Sequence, residues 1–293
     1  MTLIIAKTNG NSVRIFADSK VTHRLKEKGR NPITGALKAV ILNPALCICC
    51  SGEGVAAFDA IRTLGISPDK HLDTEDVISR LYNAHCDAHH DFAFIVGVRS
   101  ESYTLHRITG GKVERNLADA WIGDQGAYNL FQEHYLNAAP FCPQFDFLSE
   151  EEHRWDEVVI KTMNAFRAVI DDPTVDSVDH FMVRAGSDAS GEGFRYLDAM
   201  RATGFHPVTI TTTPTSLLRS VGVAGGAYSY TILTPRSAGV GMIGVYILEG
   251  RFGALFYPLL YDEPKMYHNV SLDEFREAVF RDYACEIDGI RFS

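Results

Sequence analysis

Four short apolar runs in the first sixty residues constrain this chain more than any other feature. They are Leu3-Ile4-Ile5-Ala6-Lys7, Val13-Arg14-Ile15-Phe16-Ala17-Asp18-Ser19, Leu37-Lys38-Ala39-Val40-Ile41-Leu42 and Cys47-Ile48-Cys49-Cys50-Ser51. Asn-Gly, Asn-Pro and Ser-Gly pairs punctuate them, and apolar runs of this length with such boundaries read as short buried strands. Strands are expected at 2–8 and 12–18, as a hairpin turned by Gly10-Asn11, and near 37–43 and 45–51. The polar, basic stretch from His23 to Gly35 reads as a surface loop or short ribbon.

The rest of the chain continues the alternation. Gly54 opens an apolar helix, and Asp73 or Thr74 caps a second, with Val77, Ile78, Leu81 and Tyr82 at helical spacing. Residues 92–123 read as a meander of short strands. Helices follow near 126–138 and 151–170, the latter with Trp155, Val158, Val159, Met163 and Phe166 on one face. Beyond 179 strands predominate, at 180–185, 194–197, 206–212, 227–233, 242–248 and 251–258, with Glu249-Gly250 as a hairpin turn. Ser271 with Glu274 three residues later forms a capping box for a last helix near 271–281. Runs of strands separated by runs of helices predict an α+β protein with antiparallel sheets and helices packed outside. Neither a linker rich in Pro, Gly or Ser nor an internal repeat is found, so the 293 residues read as one body.

Composition serves mainly to exclude. A net charge of −9 argues against a nucleic-acid backbone as the main partner. No run of eighteen apolar residues is present to span a membrane, and the N-terminus lacks the basic and apolar regions of a secretory signal. The six cysteines, Cys47, Cys49, Cys50, Cys86, Cys142 and Cys285, make no disulfide framework. A reducing cytoplasm is the resulting expectation, with Cys47 and Cys49 in a core and Cys50 on the opposite face of the same strand.

The first apolar run begins beside Thr2. Removal of Met1 would give Thr2 a free amine and a hydroxyl on one residue, which together make a nucleophile and its base. An α-amino group titrates near pH ~7.7–8.0, so a useful fraction is neutral in a cell. A nearby ammonium lowers that value further. Lys38 is the candidate ammonium, Asp18 its candidate partner, and Gly52 offers a backbone N–H at a strand-to-helix turn for a developing oxyanion.

These residues resemble the active-site framework of proteasome β-type subunits and their bacterial relatives, which are N-terminal nucleophile hydrolases. The acid lies sixteen residues after the threonine in that family, as Asp18 does after Thr2, and the oxyanion glycine lies fourteen after the lysine, as Gly52 does after Lys38. The resemblance extends through Phe92 to Arg107, Gly110-Gly111-Lys112-Val113 and Ala120 to Tyr128, and covers roughly residues 2 to 185. It implies a four-layer αββα sandwich of antiparallel sheets, to which about residues 186–293 add a β-rich extension. It also implies a threonine-type peptidase, with Thr2, Asp18, Lys38 and Gly52 as its catalytic residues and no cofactor or metal. Asp124 stands where the family usually has a serine. Asp171 or Asp172, with Thr174 or Ser177 after it, stands for the family's second acid. Expected partners are further copies of the chain in a homo-oligomeric ring, a peptide or protein substrate and an ATPase unfoldase, with no nucleic acid and no membrane. A small-molecule amidase on the same scaffold and an inactive assembly subunit are the alternative readings.

Three other motifs carry less. His85 and His89 stand at i and i+4, as a zinc pair would, but without further ligands at useful spacing they read as a solvated helix end. Gly239-Val240-Gly241-Met242-Ile243-Gly244 matches a dinucleotide fingerprint as letters yet leads into a strand instead of a helix. Ser187 to Gly191 lacks the Gly-x-Ser-x-Gly of a nucleophile elbow and reads as a glycine-rich turn.

Overall fold

The computed structural model describes residues 2–19, 35–65, 72–138, 150–172, 174–175, 177–178, 181–187, 193–201, 210–213, 216–223, 226–248 and 250–289. In chain order the elements are β1 (Leu3–Thr8), β2 (Val13–Asp18), β3 (Ala39–Asn43), β4 (Leu46–Gly52), α1 (Gly54–Arg62), α2 (Thr74–Asp87), β5 (Phe92–Arg99), β6 (Tyr103–Thr109), β7 (Lys112–Leu117), β8 (Asp119–Gly123), α3 (Gln125–Asn137) and α4 (Glu150–Asp171). The β-rich part continues with β9 (Phe181–Ser187), β10 (Phe194–Arg201), β11 (Ile210–Thr213), β12 (Ser216–Val223), β13 (Gly226–Pro235), β14 (Ile243–Ile247), β15 (Phe252–Phe256), β16 (Lys265–His268), α5 (Leu272–Tyr283) and β17 (Ile287–Gly289). The protein is mixed α+β, and the strands among the described residues form three antiparallel sheets.

The first sheet has the order β10-β9-β2-β1-β8, and the second the order β3-β4-β5-β6-β7. The third runs β11-β12-β13-β14-β15-β16, with β17 joined to β13. Hairpin β1–β2 sets the register of the first sheet, with Ile4 opposite Ala17 and Thr8 opposite Val13. Its turn uses Gly10 at φ +87°, a conformation that glycine adopts without strain.

Alternation along the strands decides where each face packs. Ile4, Ala6, Ile15 and Ala17 of the first sheet meet Ile41, Cys47, Cys49 and Ile95 of the second in a shared core. The opposite face of the second sheet, with Val40, Ile48 and Cys50, is covered by Phe58 and Ile61 of α1 and Val77 and Leu81 of α2. The opposite face of the first, with Leu3, Ile5 and Phe16, is covered by Phe131 of α3 and Phe166 and Val169 of α4. Cys47 and Cys49 therefore lie in one core and Cys50 in another, as the period of two requires. Side-chain capping starts the helices where the sequence places them. Asp73 accepts from the Glu75 N–H at α2, and the Ser271–Glu274 capping box is formed at α5.

The third sheet packs on the shared core through Tyr230, Ile232, Val245 and Phe256, while its other side is covered by Phe275 and Val279 of α5. The loop before β14 runs close to both other sheets, at the start of β10 and at the β3–β4 turn. The Phe194 N–H donates to the Pro44 carbonyl at 2.8 Å, and the Gly239 N–H donates to the Phe194 carbonyl at 2.9 Å. A Cβ on Gly241 would stand 2.3 Å from the Ile41 carbonyl oxygen. These glycines let the chain pass the β3–β4 turn at contact distance, which accounts for the fingerprint-like letters without a nucleotide.

β14 and β15 pair as the hairpin expected at Glu249-Gly250, with Ile247 opposite Phe252 and Arg251 at φ +47°. One local expectation is corrected. The end of α2 is not solvated at His85. That ring is fully buried, accepts at Nε2 from the Gly111 N–H at 3.0 Å and so donates at Nδ1 to the Phe92 carbonyl. Both nitrogens are spent on tying α2 to β5 and to the β6–β7 turn. The loop expected at 23–35 falls almost wholly outside the described residues, as does the turn at 188–191. Among the described residues no helix is long and apolar enough to cross a membrane.

Candidate active site

Three buried polar side chains from separate segments converge at one end of the shared core. Thr2 immediately precedes β1, Asp18 ends β2, and Lys38 immediately precedes β3; their residues are 1%, 0% and 7% exposed. The Thr2 hydroxyl donates to Asp18 Oδ1 and accepts from Lys38 Nζ. Lys38 Nζ also donates to Asp18 Oδ2 at 3.0 Å, and the Leu3 backbone N–H donates to Asp18 Oδ1 at 3.0 Å. Burying a charge is costly unless it is paired and hydrogen-bonded. Here the ammonium and the carboxylate satisfy one another and share the hydroxyl between them.

The backbone of Thr2 is held from the far side. Its carbonyl accepts from the Asp124 N–H at 2.7 Å. A Cβ on Gly123, at φ +120°, would stand 2.0 Å from that same carbonyl oxygen, so only glycine lets β8 pass there. The Asp124 side chain caps α3 by accepting from the Ala127 N–H at 2.8 Å. Trp121 and Tyr128 stack at 3.9 Å between centroids and brace the same corner. Asp124 thus reaches Thr2 through its main chain, and its carboxylate serves the helix. The cap was visible in the sequence as an acid just before a helical pattern, although Asp124 drew notice there only as the family's missing serine.

Gly52 ends β4 at φ +99°, where a Cβ would stand 2.2 Å from the Asp91 carbonyl oxygen. Two residues earlier, the Cys50 N–H donates to the Lys38 carbonyl at 3.0 Å, which ties the end of β4 to the residue that supplies the ammonium. Asp171 is the last residue of α4 and is exposed. Asp172 accepts from the Thr174 N–H at 2.8 Å and from its hydroxyl at 2.6 Å in a local turn, and Ser177 is buried. No described contact links these residues to Thr2, whereas Thr2, Asp18 and Lys38 are brought together.

Other groups near the site are placed to be inert. Burial pushes the Cys50 thiol up to about 12, and Cys49 adds to the effect, while Lys38 pulls it the other way. Such a thiol is not a thiolate at neutral pH and does not compete as a nucleophile. Tyr196 of β10 donates its hydroxyl to the Ala39 carbonyl at 2.8 Å, next to Lys38, and burial holds its proton on. Sequence reasoning missed this support and the Leu3 amide. Both depend on tertiary pairing that no local pattern reports. Among the described residues no cluster of His, Cys, Asp or Glu is arranged to hold a metal ion. No protein-family model matches this chain, and no curated protein matches it.

Proposed function

We propose that this chain is an N-terminal nucleophile hydrolase of the proteasome β type, cleaving peptide bonds through Thr2. The observation that carries the reading is the buried cluster in which Lys38 and Asp18 both bond the Thr2 hydroxyl. The helix pairs covering the outer faces of two sheets with a common core support the four-layer αββα architecture of that superfamily. In this reading the described sheets and helices form one domain of which residues 186–293 are a β-rich extension.

The chemistry follows from the charges. Once Met1 is removed, the Thr2 amine takes the hydroxyl proton, directly or through a water, as Oγ1 attacks the substrate carbonyl carbon. Lys38 favours both the neutral amine and the developing alkoxide. Asp18 keeps the ammonium in place. The Gly52 N–H is assigned to the oxyanion of the tetrahedral intermediate. Collapse breaks the C–N bond, the leaving amine takes a proton, and water then hydrolyses the Thr2 ester. Assembly into a homo-oligomeric ring, service by an ATPase unfoldase and a cytoplasmic location belong to the same proposal.

Intact-mass measurement of the purified chain tests the first step. Loss of the initiator methionine is expected, and retention would leave an amide where the base must be. The second step is tested with a β-lactone probe and fluorogenic peptides. Thr2→Ser should keep the covalent adduct, and Thr2→Ala should lose both adduct and turnover while retaining the far-UV spectrum of the parent. Turnover undiminished in folded Thr2→Ala would refute the proposal. An adduct without peptide turnover would favour the small-amide reading.

A further inference from the structure

We propose that Tyr196 is a positioning residue for Lys38. Its hydroxyl, delivered by β10 of the first sheet, fixes the start of β3 in the second, and with it the root of the lysine side chain. The inference rests on the catalytic part given to Lys38 in the proposed function. It gives the chain beyond residue 186 a share in the site, which the resemblance over residues 2–185 does not supply.

The need for such a residue arises from the place of β3. Among the described residues β3 is an edge strand, with β4 as its neighbour in the sheet. In an antiparallel ladder successive carbonyls point to opposite sides of the strand. The Lys38 carbonyl points toward β4 and accepts from the Cys50 N–H at 3.0 Å. The Ala39 carbonyl therefore points off the edge of the sheet. Ala39 is fully shielded from solvent. Its carbonyl is met by the Tyr196 hydroxyl, at 2.8 Å.

β10 is shaped to deliver that hydroxyl. Its first residue is tied to the turn at the other end of β3, where the Phe194 N–H donates to the Pro44 carbonyl at 2.8 Å. Pairing with β9 sets Tyr196 opposite Ala185 and Asp198 opposite Arg184, so Leu197 is an extra residue that makes a bulge directly after the tyrosine. A bulge bends its strand and re-aims the side chains beside it. The Tyr196 ring lies in the shared core with Cys47 and Cys49. Burial, and then Cys47, keep its phenol protonated, as a donor to a carbonyl must be. Without the hydroxyl a buried acceptor would stand unmet one residue from Lys38. The start of β3 would shift to regain a donor, and the ammonium would shift with it relative to Thr2 and Asp18.

Tyr196→Phe keeps the ring and removes the bond. Tyr246→Phe is the matched control, because Tyr246 is also buried and its hydroxyl also donates to a backbone carbonyl at 2.8 Å, that of Val270, but in the third sheet. Both variants and the parent are assayed as full-length protein with fluorogenic peptides. Tyr196→Phe is expected to lower kcat at least about fivefold with KM within about twofold, since Lys38 acts on the nucleophile and not on the bound peptide. Tyr246→Phe should keep the parent's kcat and KM. Hydrogen exchange gives a second readout that needs no turnover. The Cys50 amide should exchange at least about tenfold faster in Tyr196→Phe, measured relative to the Ile95 amide in the central strand of the same sheet, and at the parent's ratio in Tyr246→Phe. An unchanged exchange ratio in folded Tyr196→Phe would overturn the anchor. Kinetic losses that are absent, or equal in the two variants, would overturn its bearing on the chemistry while leaving the proposed function intact. A parent without Thr2-dependent turnover would instead refute the proposed function, and this role of Tyr196 with it.

Discussion

The Lys38 ammonium stands 3.0 Å from the Asp18 carboxylate, with the Asp18 side chain fully shielded from solvent and that of Lys38 nearly so. Breaking a buried pair by deleting one charge typically costs about 3–5 kcal/mol, because the other charge is left uncompensated, whereas removing both is often close to neutral. Asp18→Asn is therefore expected to lower the unfolding free energy by that order. The double variant Asp18→Asn, Lys38→Met should recover most of the loss. Urea denaturation of the three proteins checks this, and equal losses in single and double variants would show that the pair is not a unit.

Gly123 offers a test of how Thr2 is held. Alanine there would place a methyl against the Thr2 carbonyl oxygen and would also force a left-handed backbone on a residue with a Cβ. Backbone strain of this kind costs on the order of 1–3 kcal/mol before the clash is counted. Gly123→Ala should depress the thermal midpoint and, on the proposed function, should lower kcat more than KM. Gly10→Ala, also at positive φ but with nothing within 4 Å of the added methyl, separates the two contributions. It should show the strain alone.

Acid sensitivity is expected from His106. Its residue is 5% exposed, and its pKa is held below the ordinary histidine range, first by burial and then by the Arg115 guanidinium, with Glu75 acting in the opposite sense. The folded state thus binds the proton less readily than the unfolded chain does. Stability contributed by neutral His106 is complete above the unfolded value of about 6.5 and falls as pH drops through it. The fall ends below the folded-state pKa. Unfolding free energies between pH 8 and pH 5 should decline in the parent and decline less in His106→Gln. Parallel slopes in the two proteins would assign the acid response elsewhere.

Much of the fold was legible because local signals agreed with tertiary demand. The alternation in β1 and β2, the Asp73 cap and the Ser271–Glu274 box each specify an element within a few residues, and each element forms. The strands that were not anticipated are of another kind. β17 is three residues long, β16 reads Lys-Met-Tyr-His with no buried member, and β12 gains its identity from pairing with β11 and β13. β17 and β16, of three and four residues, carry too few for a period to emerge. His85 misled for a related reason. It ends a helix in sequence, and only the docking of β5 and the Gly110-Gly111 turn covers it. The site was legible as spacing alone. Sixteen residues from Thr2 to Asp18 are the length of a hairpin, but Lys38 arrives from a different sheet, and its arrival is a result of packing.

That arrangement has a consequence for how the protein fails. Thr2 and Asp18 stand at the ends of paired strands of one sheet and Lys38 precedes the first strand of another. The trio exists only while the two sheets are closed on each other. Whatever it does is lost when they part. Hydrogen exchange at the Leu3 amide, bonded to Asp18, should then gauge the fraction of molecules still able to do it.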